Sequence, residues 1–485
     1  MYIAFFNPQG NFDRLDSYWT MHPDFGGQLV YVKELAIALV SLGHQVDIFT
    51  RQIIDSRFPE FSSALDSYDK INGLRIVRIA CGGLEFLPKE LLWSHLDEWV
   101  DGIIDFCKSQ HAFPDFVTGH YGDGGYAAYR MKQITGIPFS LTGHSLGAQK
   151  LDKLLTKDNV SLLESRYHFT VRISREEVVL KNADLAFTST VQERDEQYTH
   201  PLYKPYSKQL FDEHRFVVAP PGANTKIFTT ISSPDDITTV NKIENAIHRD
   251  IDYSRRFLPS IVLASRLDEK KNHYKLLESF AKSEQLQAIY NVVISLRGIE
   301  NAFQDYSSAS SEERHLLDRM MNLIQEYHLL HKVCFVSIDS QKELAILYRH
   351  MAKTNSVFAL TSLYEPFGLA PVEAMASGLP ALVTQNGGPK DVLEEGNQKF
   401  GVLVDPTDIF SIQKGLIEIS NHHSFYRRMG MARVEQRYTW NATASQYAQA
   451  IGKVLNGDIP VKKLLDENLC EMENQILKYM SISEV

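Results

Sequence analysis

The stretch Gln28-Leu29-Val30-Tyr31-Val32-Lys33-Glu34-Leu35-Ala36-Ile37-Ala38-Leu39-Val40-Ser41-Leu42 decides the architecture. Its apolar positions Leu29, Val32, Leu35, Ala36 and Leu39 recur at the spacing of a helix with one buried face. Apolar runs flank it at residues 2–7 and 45–50, so the three segments read as strand, helix, strand. Such a unit joins parallel strands, and its repetition gives a doubly wound α/β sheet with helices on both faces.

The same alternation continues outward, with strands expected at residues 74–79, 116–120, 139–142, 185–188 and 216–219. After Pro220-Pro221-Gly222 a second cycle begins, with strands expected at 260–264, 291–297, 332–336, 357–360 and 380–384. Proline cannot extend a strand ladder, so the double proline marks a domain junction. The expected division is a first domain over 1–219 and a second over 220–424. Residues 425–454 read as one helix, and with the tail to 485 they are expected to cross back onto the first domain. Residues 231–258 are polar and weakly patterned and read as an excursion at the second domain's edge. Two Rossmann-like doubly wound domains facing a central cleft are the predicted fold, since ligands bind beyond the carboxyl ends of such strands.

Composition narrows the function classes. A chain of 485 residues exceeds one ordinary core, and 44% hydrophobic with 23% charged residues is a globular balance. No apolar run reaches the length of a membrane span. The start, residues 1–6, has no basic leader or cleavage site and reads as a core strand. Cys81, Cys107, Cys334 and Cys470 are too scattered for a zinc site or a disulfide framework, so a reduced cytoplasm is expected. A net charge of −10 argues against nucleic-acid and membrane partners and leaves small-molecule substrates.

Three segments carry chemistry in the second domain. Glu365-Pro366-Phe367-Gly368-Leu369-Ala370-Pro371-Val372-Glu373 places two glutamates across a loop and the first turns of a helix. Pro366 suits a helix start, and the amides from Phe367 to Ala370 would be open donors for a phosphate or a sugar hydroxyl. The same spacing also fits a capped helix with two solvated carboxylates. Ser265-Arg266-Leu267-Asp268-Glu269-Lys270-Lys271-Asn272 offers Arg266 and Lys271 to a diphosphate, or is an exposed charged turn. Asn386-Gly387-Gly388-Pro389 is a tight turn before a helix. In the first domain, Asp24-Phe25-Gly26-Gly27-Gln28 opens the helix at 28. His120 and His144 each follow a Thr-Gly pair, without metal-ligand spacing.

Taken together, these motifs resemble the retaining glycosyltransferases of the GT-B fold (GT4 type), the group of sucrose-phosphate synthases, sucrose synthases and glycogen-synthase-like enzymes. Glu365 to Glu373 is similar to that group's paired-glutamate motif, and Arg266 with Lys271 to its diphosphate-binding pair. Gly26 to Leu35, Thr50-Arg51-Gln52, Leu87-Pro88-Lys89-Glu90 and Thr142-Gly143-His144-Ser145-Leu146-Gly147 look most like the sucrose-phosphate synthases of bacterial type. The resemblance implies an acceptor-binding first domain and a nucleotide-sugar-binding second domain.

It also implies roles. Glu365 would bind donor-sugar hydroxyls and Glu373 the ribose. Arg266 and Lys271 would hold the diphosphate, with backbone help from Gly27, Phe367, Gly368 and Leu369. His144 would contact the transferring sugar, making His144, Arg266, Lys271 and Glu365 the catalytic set. Gly26, Gln28, Lys89, Lys150 and Arg172 would form the acceptor pocket, with Arg175 able to compensate for Arg172. The implied reaction moves glucose from UDP-glucose, or another nucleotide glucose, to fructose 6-phosphate. It needs no metal or other cofactor, and a separate phosphatase would act on the product. A mannosylfructose-phosphate synthase, a sucrose synthase using free fructose, or a silent nucleotide-sugar-binding regulator remain open on these residues.

Overall fold

Eight strands form the first sheet: Tyr2–Phe6 (β1), Gln45–Arg51 (β2), Leu65–Asp66 (β3), Leu74–Ile79 (β4), Phe116–His120 (β5), Phe139–Thr142 (β6), Leu185–Thr188 (β7) and Phe216–Val218 (β8). Their order is β3-β4-β2-β1-β5-β6-β7-β8, parallel throughout except where β3 meets β4. Central strands such as β5, β6 and β7 are buried along their whole length, which is why they appear as short runs free of Asp, Glu, Lys and Arg. The structure is a computed structural model that describes residues 1–16, 27–156, 159–365, 367–465 and 468–482.

The second sheet contains Ser260–Leu263 (β9), Asn291–Leu296 (β10), Val333–Ser337 (β11), Val357–Leu360 (β12) and Ala381–Thr384 (β13). A short hairpin follows, Glu394–Glu395 (β14) and Gln398–Lys399 (β15), before the sheet's last strand, Val402–Val404 (β16). The six strands lie in the order β11-β10-β9-β12-β13-β16, all parallel. Both sheets therefore have the doubly wound α/β character that the alternation predicts.

The chain divides into two compact units, Met1–Pro220 with Trp440–Val485, and Pro221–Thr439. In place of one helix over 425–454 there are two, His423–Arg437 and Trp440–Leu455. The first stays in the second unit, so the return begins at Trp440 rather than at 425. Trp440, Ala444, Tyr447, Ile451 and Val454 then pack against Leu29, Val32, Leu35 and Ala36 of the helix Gly27–Ser41 in one core. The helix Leu469–Ile482 buries Met472, Ile476 and Met480 in the other core of that unit.

The segment 231–258 is also more regular than its composition suggests. Ser233 and Asp236 form a reciprocal capping box, and the helix Ile237–Asp250 buries Ile243 and Ala246. Apolar residues at 237, 240, 243 and 247 already carried that periodicity.

Candidate active site

In the second unit the strand order reverses beside β9: β10 and β11 lie on one side and β12 on the other. A sheet that reverses in this way opens a crevice beyond the carboxyl ends of the two strands at the reversal. Residues 264–272 leave β9 there, and residues 361–365 leave β12. The two segments lock together. Leu363 N donates to Lys270 O at 2.8 Å, and Asn272 Nδ2 donates to Thr361 O at 3.0 Å and Pro406 O at 2.8 Å. Lys271 N is held by Asp268 Oδ1 at 3.0 Å, which aims its side chain so that Nζ donates to Glu365 Oε2 at 2.6 Å.

Glu365 is fixed from its other side by the Asn386-Gly387-Gly388 turn. Its N donates to Asn386 O at 3.1 Å, and Gly388 N donates to its O at 2.9 Å. Gly368, at φ +95°, turns the chain into the helix Leu369–Ala376. The amides of that first turn have no acceptor within the helix and stand as anion donors. Phe367 lies with its ring 6.0 Å from that of Tyr438. Pro366 falls outside the described residues.

Arg266 is not gathered into this cluster. Its side chain is 86% exposed and meets Asp268 at 3.8 Å, and among the described residues no recorded contact joins it to Lys271 or Glu365. Glu373 lies on the helix, with Gln341 Nε2 3.5 Å from its Oε1. It keeps some exposed surface, yet burial of the carboxyl pushes it up to about 8. The unfolded chain releases this proton near pH 4 to 5, whereas the folded chain keeps it to about 8. Raising pH across that window should therefore lower stability. We expect the Tm of the ligand-free protein to fall from about pH 5 to 8, and Glu373→Gln to flatten the fall in scanning calorimetry. An identical slope in both proteins would return this carboxyl to the ordinary range.

The first sheet reverses between β1 and β5. Beyond their ends lies a pocket of about 140 Å³ bordered by Gln9, Lys89, Tyr121, Asp123, Lys150 and Arg172, with Glu90, Trp93, Ser145 and Tyr167 completing it. Lys89, Lys150 and Arg172, expected together from the sequence, are brought together here. Burial pushes Lys150 down from the usual lysine range, and the charges of Arg172 and Lys89 add to this. Its Nζ sits 4.1 Å from the centre of the Tyr167 ring. Arg172 is held in place by Glu176, whose Oε1 accepts from Nε at 2.9 Å, and by Ser145 O at 2.6 Å from Nη2. Glu176 is fully buried and also accepts from Gly147 N at 2.9 Å and from the Tyr203 hydroxyl.

Arg175 does not serve as a substitute. It pairs with Glu473 of the last helix and faces the Tyr126 ring. Gln28 donates to Asn7 Oδ1, and Asn7 Nδ2 donates to Gln9 O at 2.6 Å, which ties Gln28 to the pocket rim. Gly27 begins its helix as an exposed residue, while Gly26 lies outside the described residues. His144 follows β6 and touches the Tyr121 ring, with centroids 5.3 Å apart. Sequence reasoning missed Asp123, Tyr167 and Glu176. Burial pushes the Asp123 carboxyl up to about 6. The Arg172–Glu176 pair was readable as an i, i+4 spacing on a helix. Among the described residues, no group of three or more His, Cys, Asp or Glu side chains is gathered as a metal centre, and no helix is long and apolar enough to cross a membrane.

Residues 258–434 match the family of glycosyl transferases group 1, and residues 26–201 match the glycosyl transferase 4-like domain. The chain is 45% identical over 453 residues to a probable sucrose-phosphate synthase of Thermosipho melanesiensis, covering 93% of this chain and 97% of the relative. It is 32% identical to sucrose-phosphate synthase 4 of Arabidopsis thaliana, covering 87% of this chain but only 45% of that protein. The chain thus spans less than half of the plant relative. A solved sucrose-phosphate synthase from Thermosynechococcus elongatus superposes with a TM-score of 0.64 at 23% identity, over 94% of this chain and 100% of that one. The fold is therefore GT-B, and the chain belongs to the group 1 glycosyltransferases as a member of the sucrose-phosphate synthase family.

Proposed function

We propose that this chain transfers glucose from UDP-glucose, or another nucleoside diphosphate glucose, to fructose 6-phosphate with retention, giving sucrose 6-phosphate. The observation that carries the reading is the cationic pocket of the first unit. Lys89, Lys150 and Arg172 converge on about 140 Å³, a cationic lining that favours an acceptor carrying an anionic group. A sugar phosphate supplies that charge, and Asp123 and Gln9 offer hydrogen bonds to its hydroxyls.

In the second unit, Lys271 and the backbone amides at residues 367–369 bind the diphosphate, and the exposed Arg266 reaches it from outside the cluster. Glu365 accepts from the hexose hydroxyls and Glu373 serves the ribose. The bond from the sugar carbon to the diphosphate oxygen breaks, and the acceptor hydroxyl oxygen bonds to the same face. The departing phosphate oxygen takes the acceptor's proton. Stabilising the diphosphate as its charge develops is then the main catalytic task. Preorganised cations and amides supply it, and no metal or other cofactor is required. We assign His144 to the transferring sugar.

Purified protein offered several nucleotide sugars, each with fructose or fructose 6-phosphate, tests the proposal through the product formed. Sucrose 6-phosphate from the phosphorylated acceptor is expected. Transfer only to free fructose would overturn it. EDTA should leave the rate within about twofold, and a large loss would show that a divalent metal takes part. Lys150→Ala should raise the KM for fructose 6-phosphate by about 10- to 100-fold, the value of a charged hydrogen bond, and leave the donor KM near wild type. Equal changes in both would remove Lys150 from the phosphate pocket.

A further inference from the structure

Two histidines from neighbouring strands share one hydrogen bond. His120 ends β5 and His144 follows β6, with His120 Nδ1 and His144 Nε2 2.9 Å apart and the rings stacked at 5.2 Å and 24°. Between neutral rings that line holds one proton, so one ring donates and the other accepts. The second nitrogen of each ring decides which. His120 is fully enclosed, lies flat against Phe5 at 5.1 Å, and its Nε2 has no hydrogen-bond partner among the described residues.

Were His144 the donor, the His120 proton would sit on Nε2 as a buried N–H with no acceptor. Folded proteins tolerate that orphan least. With His120 as the donor, its Nε2 carries only a lone pair. The His144 proton then sits on Nδ1, which meets no acceptor among the described residues, and the residue keeps some exposed surface. Burial lowers both rings, His144 to about 3, so neither carries a charge at neutral pH. Tyr31 stands edge-on to His144 at 4.9 Å and 82°, and its hydroxyl lies 3.0 Å from that of Tyr447, which resists a flip of the His144 ring.

We propose that His120 is a positioning residue that fixes His144 as a hydrogen-bond donor through Nδ1, directed at an oxygen of the transferred sugar or its leaving group. The inference deepens the proposed function, because it rests on His144 contacting the donor. A donor N–H stabilises an oxygen as it gains negative charge, whereas the opposite tautomer would present a lone pair to it.

The tautomer can be read without substrate. In protein labelled with 15N-histidine, long-range proton–nitrogen cross-peaks, assigned by their absence in His144→Gln, should show His144 protonated at Nδ1 and bare at Nε2. His120→Leu removes the donor and should lower kcat by about tenfold or more, with both KM values within about threefold. His120→Asn places an amide N–H near the lost Nδ1 and should recover most of that turnover. An Nε2-protonated His144 in the wild type, or wild-type kcat in His120→Leu, would overturn the proposal. If His120→Leu does not fold, the wild-type spectrum still decides. A wild type that transfers no sugar would count against the proposed function alone, since the cross-peak pattern reports the histidine pair in either case.

Discussion

Lys271→Ala should lower turnover by roughly 100- to 1,000-fold, the loss seen when one preorganised donor to a developing oxyanion is removed. The side chain is already aimed before any ligand arrives. Asp268 pins its amide, Asn272 is tied to Thr361 and Pro406, and Nζ rests on Glu365 at 2.6 Å. Truncation removes the cation and also leaves the Glu365 carboxylate to repel the incoming diphosphate. Stability should change little, because both partners keep some solvent access, at 21% and 13% exposure. A partly exposed pair is worth about 1 kcal/mol or less, a Tm shift of no more than about 4 °C. Lys271→Arg should not restore the rate, since a planar fork does not replace a compact charge at the end of a short turn. Steady-state kcat beside a melting curve checks this. A folded Lys271→Ala protein with near-normal turnover would remove Lys271 from the donor site.

How the site holds its charges explains which parts of it the sequence displays. Lys271 was visible as a cation in a recognisable motif and Arg172 only through the family resemblance, but their orientation comes from Glu365 and Glu176, which hold them in place. Holding a charge in place beforehand lowers the ordering cost of binding. Glu176 was not singled out because it lies on a helix face whose burial depends on Tyr203 and Gly147, far from it in sequence. Arg175 was expected to be able to compensate for Arg172, and its pairing with Glu473 of the last helix shows that it faces elsewhere.

The strands were legible because parallel strands buried on both faces exclude charged side chains, and β5, β6, β7, β9, β12 and β13 contain no Asp, Glu, Lys or Arg. β16 was not legible: three residues after a glycine give no period to detect. The break between His423–Arg437 and Trp440–Leu455 also escaped, since helical patterning runs through it. What interrupts it is tertiary: Ala223 N donates to Tyr438 O, and Ala223 pairs with Thr439 as an isolated bridge. That one bridge, made to a residue far away in sequence, is what local helix patterning does not display.

Gly387→Ala should be the most damaging substitution in the turn that carries Glu365. Gly387 sits at φ +102°, and a Cβ there would lie 2.0 Å from Glu365 O and 2.9 Å from its carbonyl carbon. Those are backbone atoms, so no side chain can swing aside to relieve the contact. The Glu365–Gly387 bridge must open, and with it the bonds from Glu365 N to Asn386 O and from Gly388 N to Glu365 O. Left-handed strain and overpacking together should cost about 3–5 kcal/mol. A shift of Glu365 by about 1 Å is enough to lose roughly 100-fold in rate. Both losses should appear, in a urea melt and in kcat. Gly452→Ala is the matched control: it lies inside the helix Trp440–Leu455 with nothing within 4 Å of the added carbon. It should gain about 0.5–1 kcal/mol, because alanine favours a helix interior over glycine. If Gly387→Ala melted and turned over like Gly452→Ala, the placement of Glu365 would not depend on that turn.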